Sequence, residues 1–153
     1  PELQERNMKI QLIGFIDELP ESTKQVVLKA VEDTKNNTGM VLTFALNYGS
    51  RAEIIEATKT LARRVERGEL AVDDIEEALF ERELQTNFLG ELQDPDLMIR
   101  TSGEVRLSNF LLWQLAYSEY YFTDIFWPDF SKEDLHKAIL TYQGRHRRYG
   151  GLA

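Results

Sequence analysis

Apolar positions along this chain follow two alternating rhythms. Short, nearly unbroken runs read as strands: MKIQLIG (8–14), MVLTFAL (40–46) and the second half of DPDLMIRT (94–101), where a turn comes first. MVLTFAL is so uniformly apolar that burial on both faces is expected. Other stretches space their apolar residues three and four apart, as helices do. Val26, Val27, Ala30 and Val31 mark a helix over 21–39 that Asn-Asn-Thr-Gly should stop. Ile54, Ile55, Leu61, Ala62 and Val65 mark another over 51–68, with Gly68 as its C′ residue. Residues 72–84 predict a shorter helix with acids near its start, where the helix dipole favours them. SNFLLWQLAYSEYYF (108–122) predicts a buried helix rich in aromatics, and FTDIFWPDF (122–130) an extended connection closed by Pro128. Ser131 is placed to cap a last helix, 132–143, facing inward through Leu135, Ala138, Ile139 and Tyr142.

Strand and helix alternate three times, which predicts an α/β fold, a mainly parallel sheet with flanking helices. No repeat, low-complexity tract or linker interrupts the chain, and 153 residues suit one domain. Ligands of open α/β sheets bind at the carboxyl ends of the strands. That singles out LNYGSR (46–51) and IRTSGEVRLSN (99–109).

In the second of these, Arg100 ends a strand, Arg106 sits in a small polar loop, and Ser108-Asn109 should open a helix. Guanidinium forks pair with phosphate oxygens in bidentate fashion. A helix N-terminus adds unpaired N–H groups and the positive end of a dipole. The Ser108 hydroxyl and the backbone at Leu107 complete a set of donors that suits a diphosphate better than one carboxylate. The plainer alternative pairs both arginines with acids such as Asp94 or Glu104 and leaves Ser108 as a cap.

Composition narrows the classes. Against 26 acids the chain has 18 lysines and arginines, a net charge of −8, which argues against non-specific nucleic-acid binding. It has no cysteine, hence no disulfide, thiolate metal site or thiol nucleophile. Neither G-x-x-x-x-G-K-[ST] nor G-x-G-x-x-G occurs, so a P-loop or dinucleotide fold gains no support. No run reaches the length of a membrane-spanning helix and no signal peptide is evident. His136 should face solvent beside Lys137, and the acids of 73–83 read as an exposed helical face. Trp113, Tyr117, Tyr120, Tyr121, Phe122, Phe126 and Trp127 read first as core; they are too dense for one small core face, so a buried dimer interface is the alternative.

DPDLMIRTSGEVRLSNFLLWQLAYSEYYFTDIFWPDF (94–130) closely resembles the signature of the cis-prenyltransferases, and FALNYGSRAEI (44–54) and RHRRYGG (145–151) resemble further blocks of that family in the same order. The resemblance implies a cytoplasmic, homodimeric enzyme. It condenses isopentenyl diphosphate with an allylic diphosphate such as farnesyl diphosphate, using Mg²⁺, to make a long cis-polyprenyl diphosphate such as undecaprenyl diphosphate, the cell-wall lipid carrier. It carries Arg100, Arg106, Leu107 and Ser108 over as ligands of the isopentenyl diphosphate. Arg148 and Gly150 match an Arg-x-Gly that reaches across the dimer. Glu119 matches the metal-binding carboxylate. Asn47, Arg51 and Glu104 are assigned to site support, with Ser50 standing where the family more often has a second glycine. No residue of this portion is assigned to the chemical step itself. A continuous helix would put Glu119 about 16 Å from Ser108 at ~1.5 Å per residue, so either Glu119 serves the partner's site or the helix breaks first.

The family's upstream block, of the form Asp-Gly-Asn-Gly-Arg-Trp, holds the allylic diphosphate and supplies a metal-binding aspartate. It does not occur in these 153 residues. The chain starts with Pro1, and the expectation is a C-terminal portion of one cis-prenyltransferase domain, inactive alone, whose parent touches the membrane only peripherally to release product. Two rivals remain: a non-catalytic partner subunit of a prenyltransferase, which would usually lose the arginine and carboxylate positions kept here, and a phosphometabolite-binding α/β domain, which would be monomeric.

Overall fold

The computed structural model describes residues 2–145, in two compact units, Pro1–Gly90 and Glu91–Ala153. The first unit opens with one helical turn, Glu2–Glu5 (α1), followed by the strand Lys9–Ile13 (β1). Glu21–Thr34 (α2) then crosses to Val41–Ala45 (β2), which pairs parallel to β1 from Lys9↔Val41 to Ile13↔Ala45. A parallel pair requires such a crossover. Ile10 and Ile13 are buried on β1. Thr34 joins strand to helix: its hydroxyl accepts from the Ile10 N–H at 3.0 Å and donates to the Ala30 carbonyl at 2.8 Å.

α2 ends at Thr34, just ahead of the Asn-Asn-Thr-Gly stop expected at 36–39. Asn37 Nδ2 donates to the Met8 carbonyl at 2.7 Å, and Asn7 Oδ1 accepts from the Thr38 N–H at 2.9 Å. These side-chain bonds compete with helix continuation, as asparagine commonly does. β2 departs from expectation. Val41 and Phe44 are exposed; among the described residues β2 pairs only with β1.

Ser50–Glu66 (α3) buries Ser50, Glu53, Ala57 and Leu61, a stripe at helical spacing, while Ile55 points outward. It ends as foreseen, with Gly68 in the left-handed region at φ 71°. The helix expected over 72–84 is broken into a 3₁₀ turn, Val72–Asp74, and Glu77–Glu81 (α4), with Ile75 and Glu76 extended between them. Two adjacent aspartates and a β-branched residue are poor helix formers.

In the second unit, Leu97–Arg100 (β3) pairs parallel with Glu119–Phe122 (β4), from Leu97↔Glu119 to Arg100↔Phe122. Here the sequence expectation fails. No helix spans 108–122. Ser108, Asn109 and Leu111 have φ of 51°, 64° and 45°, a left-handed conformation that cannot propagate a right-handed helix. The following residues make turns that bury Leu111, Gln114 and Leu115. The aromatic end, Tyr120 to Phe122, goes to strand β4, for which such side chains are well suited. The last helix, Lys132–Gln143 (α5), stands where predicted. The Ser131 hydroxyl accepts from the Asp134 N–H, and the Asp134 carboxylate accepts from the Ser131 N–H at 2.9 Å. Ala138 is fully buried, whereas Leu135 and Ile139 remain exposed. Tyr117, Phe126 and Trp127 are exposed as well, so the aromatic stretch is not wholly core.

Candidate anion-binding site

The carboxyl end of β3 runs straight into the loop that the sequence marks. Thr123 N–H bonds to the Arg100 carbonyl at 3.0 Å, Gly103 N–H to the Thr123 carbonyl at 2.9 Å, and Ser102 N–H to the Ile125 carbonyl at 2.8 Å. These bonds tie the loop after β3 to the segment after β4. Ser102 and Gly103 reverse the chain with positive φ, 66° and 69°.

The reversal brings Arg106 back towards Arg100. Both line a cleft of about 250 Å³ with Met98, Ile99, Leu107 and Phe110. Arg106 is ion-paired with Glu104, so for this arginine the plainer alternative is partly realised. Arg100 is half-buried and makes no ion pair with any described residue. Two guanidinium groups over an apolar wall are able to hold an anion, since such a wall lowers the local dielectric and strengthens each charge-assisted bond.

The other expected ligands are placed differently. Ser108 is exposed in a left-handed turn and opens no helix, so no helix dipole serves this site. Arg148 and Gly150 lie outside the described residues. Glu119 opens β4, at the end of the ladder opposite Arg100. Three strand steps of ~3.3 Å separate those ends by about 10 Å. There Glu119 Oε2 is held at 2.7 Å by Arg145 Nη1.

Among the described residues no group of three or more histidines or carboxylates could enclose a metal ion. Mg²⁺, however, is commonly bound through one or two carboxylates plus substrate oxygens and water. Glu119 fits that mode: it is a partly exposed, hard oxygen ligand, and its Oε1 has no partner among the described residues.

In the first unit, the carboxyl ends of β1 and β2 meet. Asn47, left-handed at φ 49°, donates from Nδ2 to the Phe15 carbonyl at 3.3 Å and to Glu18 Oε2 at 2.8 Å. Arg51 stands exposed on the first turn of α3. Nearby, Lys24 on α2 donates to Asp17 at 2.5 Å, which holds the Asp17 carboxyl below its usual range. Sequence reasoning missed the centre of this cluster. Glu53 is buried at 2% exposure. It accepts from the Tyr48 hydroxyl at 2.5 Å and from the Gln85 N–H at 2.8 Å, and Gln85 Oε1 accepts from the Gly14 N–H at 2.5 Å. The available signal was the spacing Ser50, Glu53, Ala57, Leu61, which puts a carboxylate on the inward stripe.

The family model described as putative undecaprenyl diphosphate synthase matches residues 1–150. The isoprenyl transferase of Halalkalibacterium halodurans is 56% identical over 152 residues, 99% of this chain and 58% of the relative. The (2E,6E)-farnesyl-diphosphate-specific ditrans,polycis-undecaprenyl-diphosphate synthase of Micrococcus luteus is 56% identical over 99% of this chain and 60% of its own length. The chain thus spans about three fifths of these relatives. Among solved structures, lavandulyl diphosphate synthase of Lavandula x intermedia, in complex with dimethylallyl diphosphate, matches with a TM-score of 0.94 at 41% identity, covering 97% of this chain and 63% of that one. A probable undecaprenyl diphosphate synthase of Campylobacter jejuni matches with a TM-score of 0.81 at 30% identity, over 98% of this chain and 66% of that one. On a match that spans both strand pairs and the loop carrying Arg100 and Arg106, this α/β chain belongs to the undecaprenyl diphosphate synthase family of cis-prenyltransferases.

Proposed function

We propose that this chain carries the isopentenyl diphosphate site of a cis-prenyltransferase, and that the whole protein extends farnesyl diphosphate to a long cis-polyprenyl diphosphate such as undecaprenyl diphosphate. The observation that carries this reading is the convergence of Arg100 and Arg106 on one cleft at the carboxyl end of β3. Arg100, unpaired among the described residues, takes one phosphate group. Arg106, positioned by Glu104, takes the other. Met98, Ile99 and Phe110 give the five-carbon chain an apolar wall and keep water from the paired charges. Leu107 closes the cleft beside Arg106, with Ser108, Arg148 and Gly150 as further diphosphate ligands. The reaction joins the two substrates by a carbon–carbon bond, releases the allylic diphosphate and loses one proton. Bound at Glu119, Mg²⁺ would supply charge neutralisation for that leaving diphosphate.

Since Glu119 and the arginine cleft lie at opposite ends of one ladder, the reading places Glu119 in the site of a second copy. The exposed Tyr117, Phe126 and Trp127 support a homodimer. Among the described residues no helix is long and apolar enough to cross a membrane, and the reading is of a cytoplasmic enzyme that meets the membrane at product release. The 153 residues are proposed to bind isopentenyl diphosphate without turning it over, as they lack the Asp-Gly-Asn-Gly-Arg-Trp block.

Calorimetric titration with isopentenyl diphosphate tests this. Arg100→Ala and Arg106→Ala should each weaken binding by about ten- to a hundredfold, the loss of a charge-assisted bond of ~1.5–3 kcal/mol. Inorganic phosphate should bind far more weakly than the diphosphate. Equal binding by wild type and both variants would overturn the assignment.

A further inference from the structure

We propose that Arg145 is a built-in competitor for the divalent cation at Glu119: it occupies the carboxylate until a cation displaces it. The proposal rests on reading Glu119 as a metal ligand. Arg145 directly follows Gly144, the residue that caps α5. Its Nη1 makes two bonds, to Glu119 Oε2 at 2.7 Å and to the Tyr120 carbonyl at 2.9 Å. The N–H groups of Glu119 and Thr123 face β3, so the alternating pattern of a strand turns the Tyr120 carbonyl to the other side. Arg145 therefore grips the open side of β4 at the residue next to Glu119.

Two features distinguish this pair from a solvated surface contact. The Glu119 side chain is largely covered, at 27% exposure, against 37% for the more open Arg145. The guanidinium is also fixed by a second, backbone acceptor, which limits the entropy lost in holding the pair. A dication arriving at the same carboxylate meets this positive charge at very short range, in a setting less polar than water. A cation on Glu119 Oε1 and the guanidinium on Oε2 would repel each other across one carboxylate. Cation binding thus either expels Arg145 from the carboxylate or is weakened by it. The Tyr120 carbonyl keeps the displaced guanidinium close, ready to return when the cation leaves.

A staple and a competitor respond oppositely to removal, which makes the proposal testable on the 153-residue chain. Mn²⁺ serves as the probe, read by paramagnetic broadening of the Glu119 and Tyr120 amide resonances. Arg145→Gln should tighten Mn²⁺ binding by about two- to fivefold, the scale of one partly exposed ion pair. Arg145→Lys, which keeps the charge, should remain close to wild type, and Glu119→Gln should lose binding. If Arg145→Gln binds no more tightly than wild type while Glu119→Gln still loses binding, the competitor is overturned and the metal reading of Glu119 stands. If Glu119→Gln binds as wild type does, or if neither wild type nor Arg145→Gln binds Mn²⁺, the metal reading fails and the proposal with it. A second measurement needs no variant. Saturating Mg²⁺ should move the Arg145 Nε–H resonance of the wild type to that of a solvated arginine. A resonance that stays in place while the Glu119 amide shifts would overturn the proposal.

Discussion

At position 14 a single hydrogen separates a fold from a clash. Gly14 has φ 118°, and a Cβ there would sit 1.8 Å from the Leu46 carbonyl oxygen. Gly14→Ala must strain the backbone and push apart the loops after β1 and β2, at a cost of at least about 2 kcal/mol; chemical denaturation should show the lowered midpoint. Glu53 constrains the same corner from the other side. Glu53→Ala would remove the carboxylate to which the Tyr48 hydroxyl and the Gln85 N–H donate, costing about 2–3 kcal/mol, where Glu53→Gln retains part of the network. The sequence exposes these residues unevenly. A glycine after a strand signals a turn, but its approach to Leu46 depends on where β2 lies. Glu53 looks like an ordinary solvated acid until the helical stripe that contains it is followed from Ser50 to Leu61.

At the scale of elements, the bounds of α5 were legible because its start signal is local, although Leu135 and Ile139 of its expected inner face are exposed. Ser131 and Asp134 lie three residues apart, and they bond to each other's backbone. Ser131→Ala should cost about 1 kcal/mol in thermal unfolding. The cap also has a pH dependence with a definite sign. The Ser131 hydroxyl and N–H hold the Asp134 carboxyl below its usual value of 3.8. A carboxyl depressed in the folded state stabilises above its unfolded pKa, and that contribution disappears as pH falls through the folded one. Amide exchange in the first turn of α5 should therefore accelerate on acidification below about pH 4, a change absent from Asp134→Asn. The segment 108–122 was illegible for the opposite reason. Its apolar spacing fits a helix, yet its aromatic end fits a strand, and the choice is made by pairing with β3, which no local pattern encodes. The left-handed turn at Ser108 and Asn109 removes the expected helix dipole and leaves the guanidinium groups as the cleft's charges.

For the molecule as a whole, the alternation of strand and helix gave the α/β class and the parallel pairing, because every strand of a parallel sheet needs a crossover or connection that the chain must spell out. The nearness of the two arginines was legible as well, since Arg100 ends β3 and Arg106 lies in the short loop that follows it. Glu119 was legible as a residue but not as a position: placing it opposite Arg100 requires the β3–β4 register. An anion site resting on two partly exposed guanidiniums should also be salt-sensitive. Raising ionic strength from about 0.05 to 0.5 M shortens the screening length severalfold, and calorimetry should show isopentenyl diphosphate binding weaken along with it.

The grip of Arg145 on the Tyr120 carbonyl has a consequence for solubility. An unpaired strand flank is a template on which other chains can add themselves, and a cationic side chain lying across it is one of the ordinary defences. Lying across a β4 flank that is unpaired among the described residues, Arg145 would oppose such strand addition. Concentrated Arg145→Ala protein should scatter more light on storage than wild type, with oligomers growing from the β4 flank, and a lysine at the same position should suppress them.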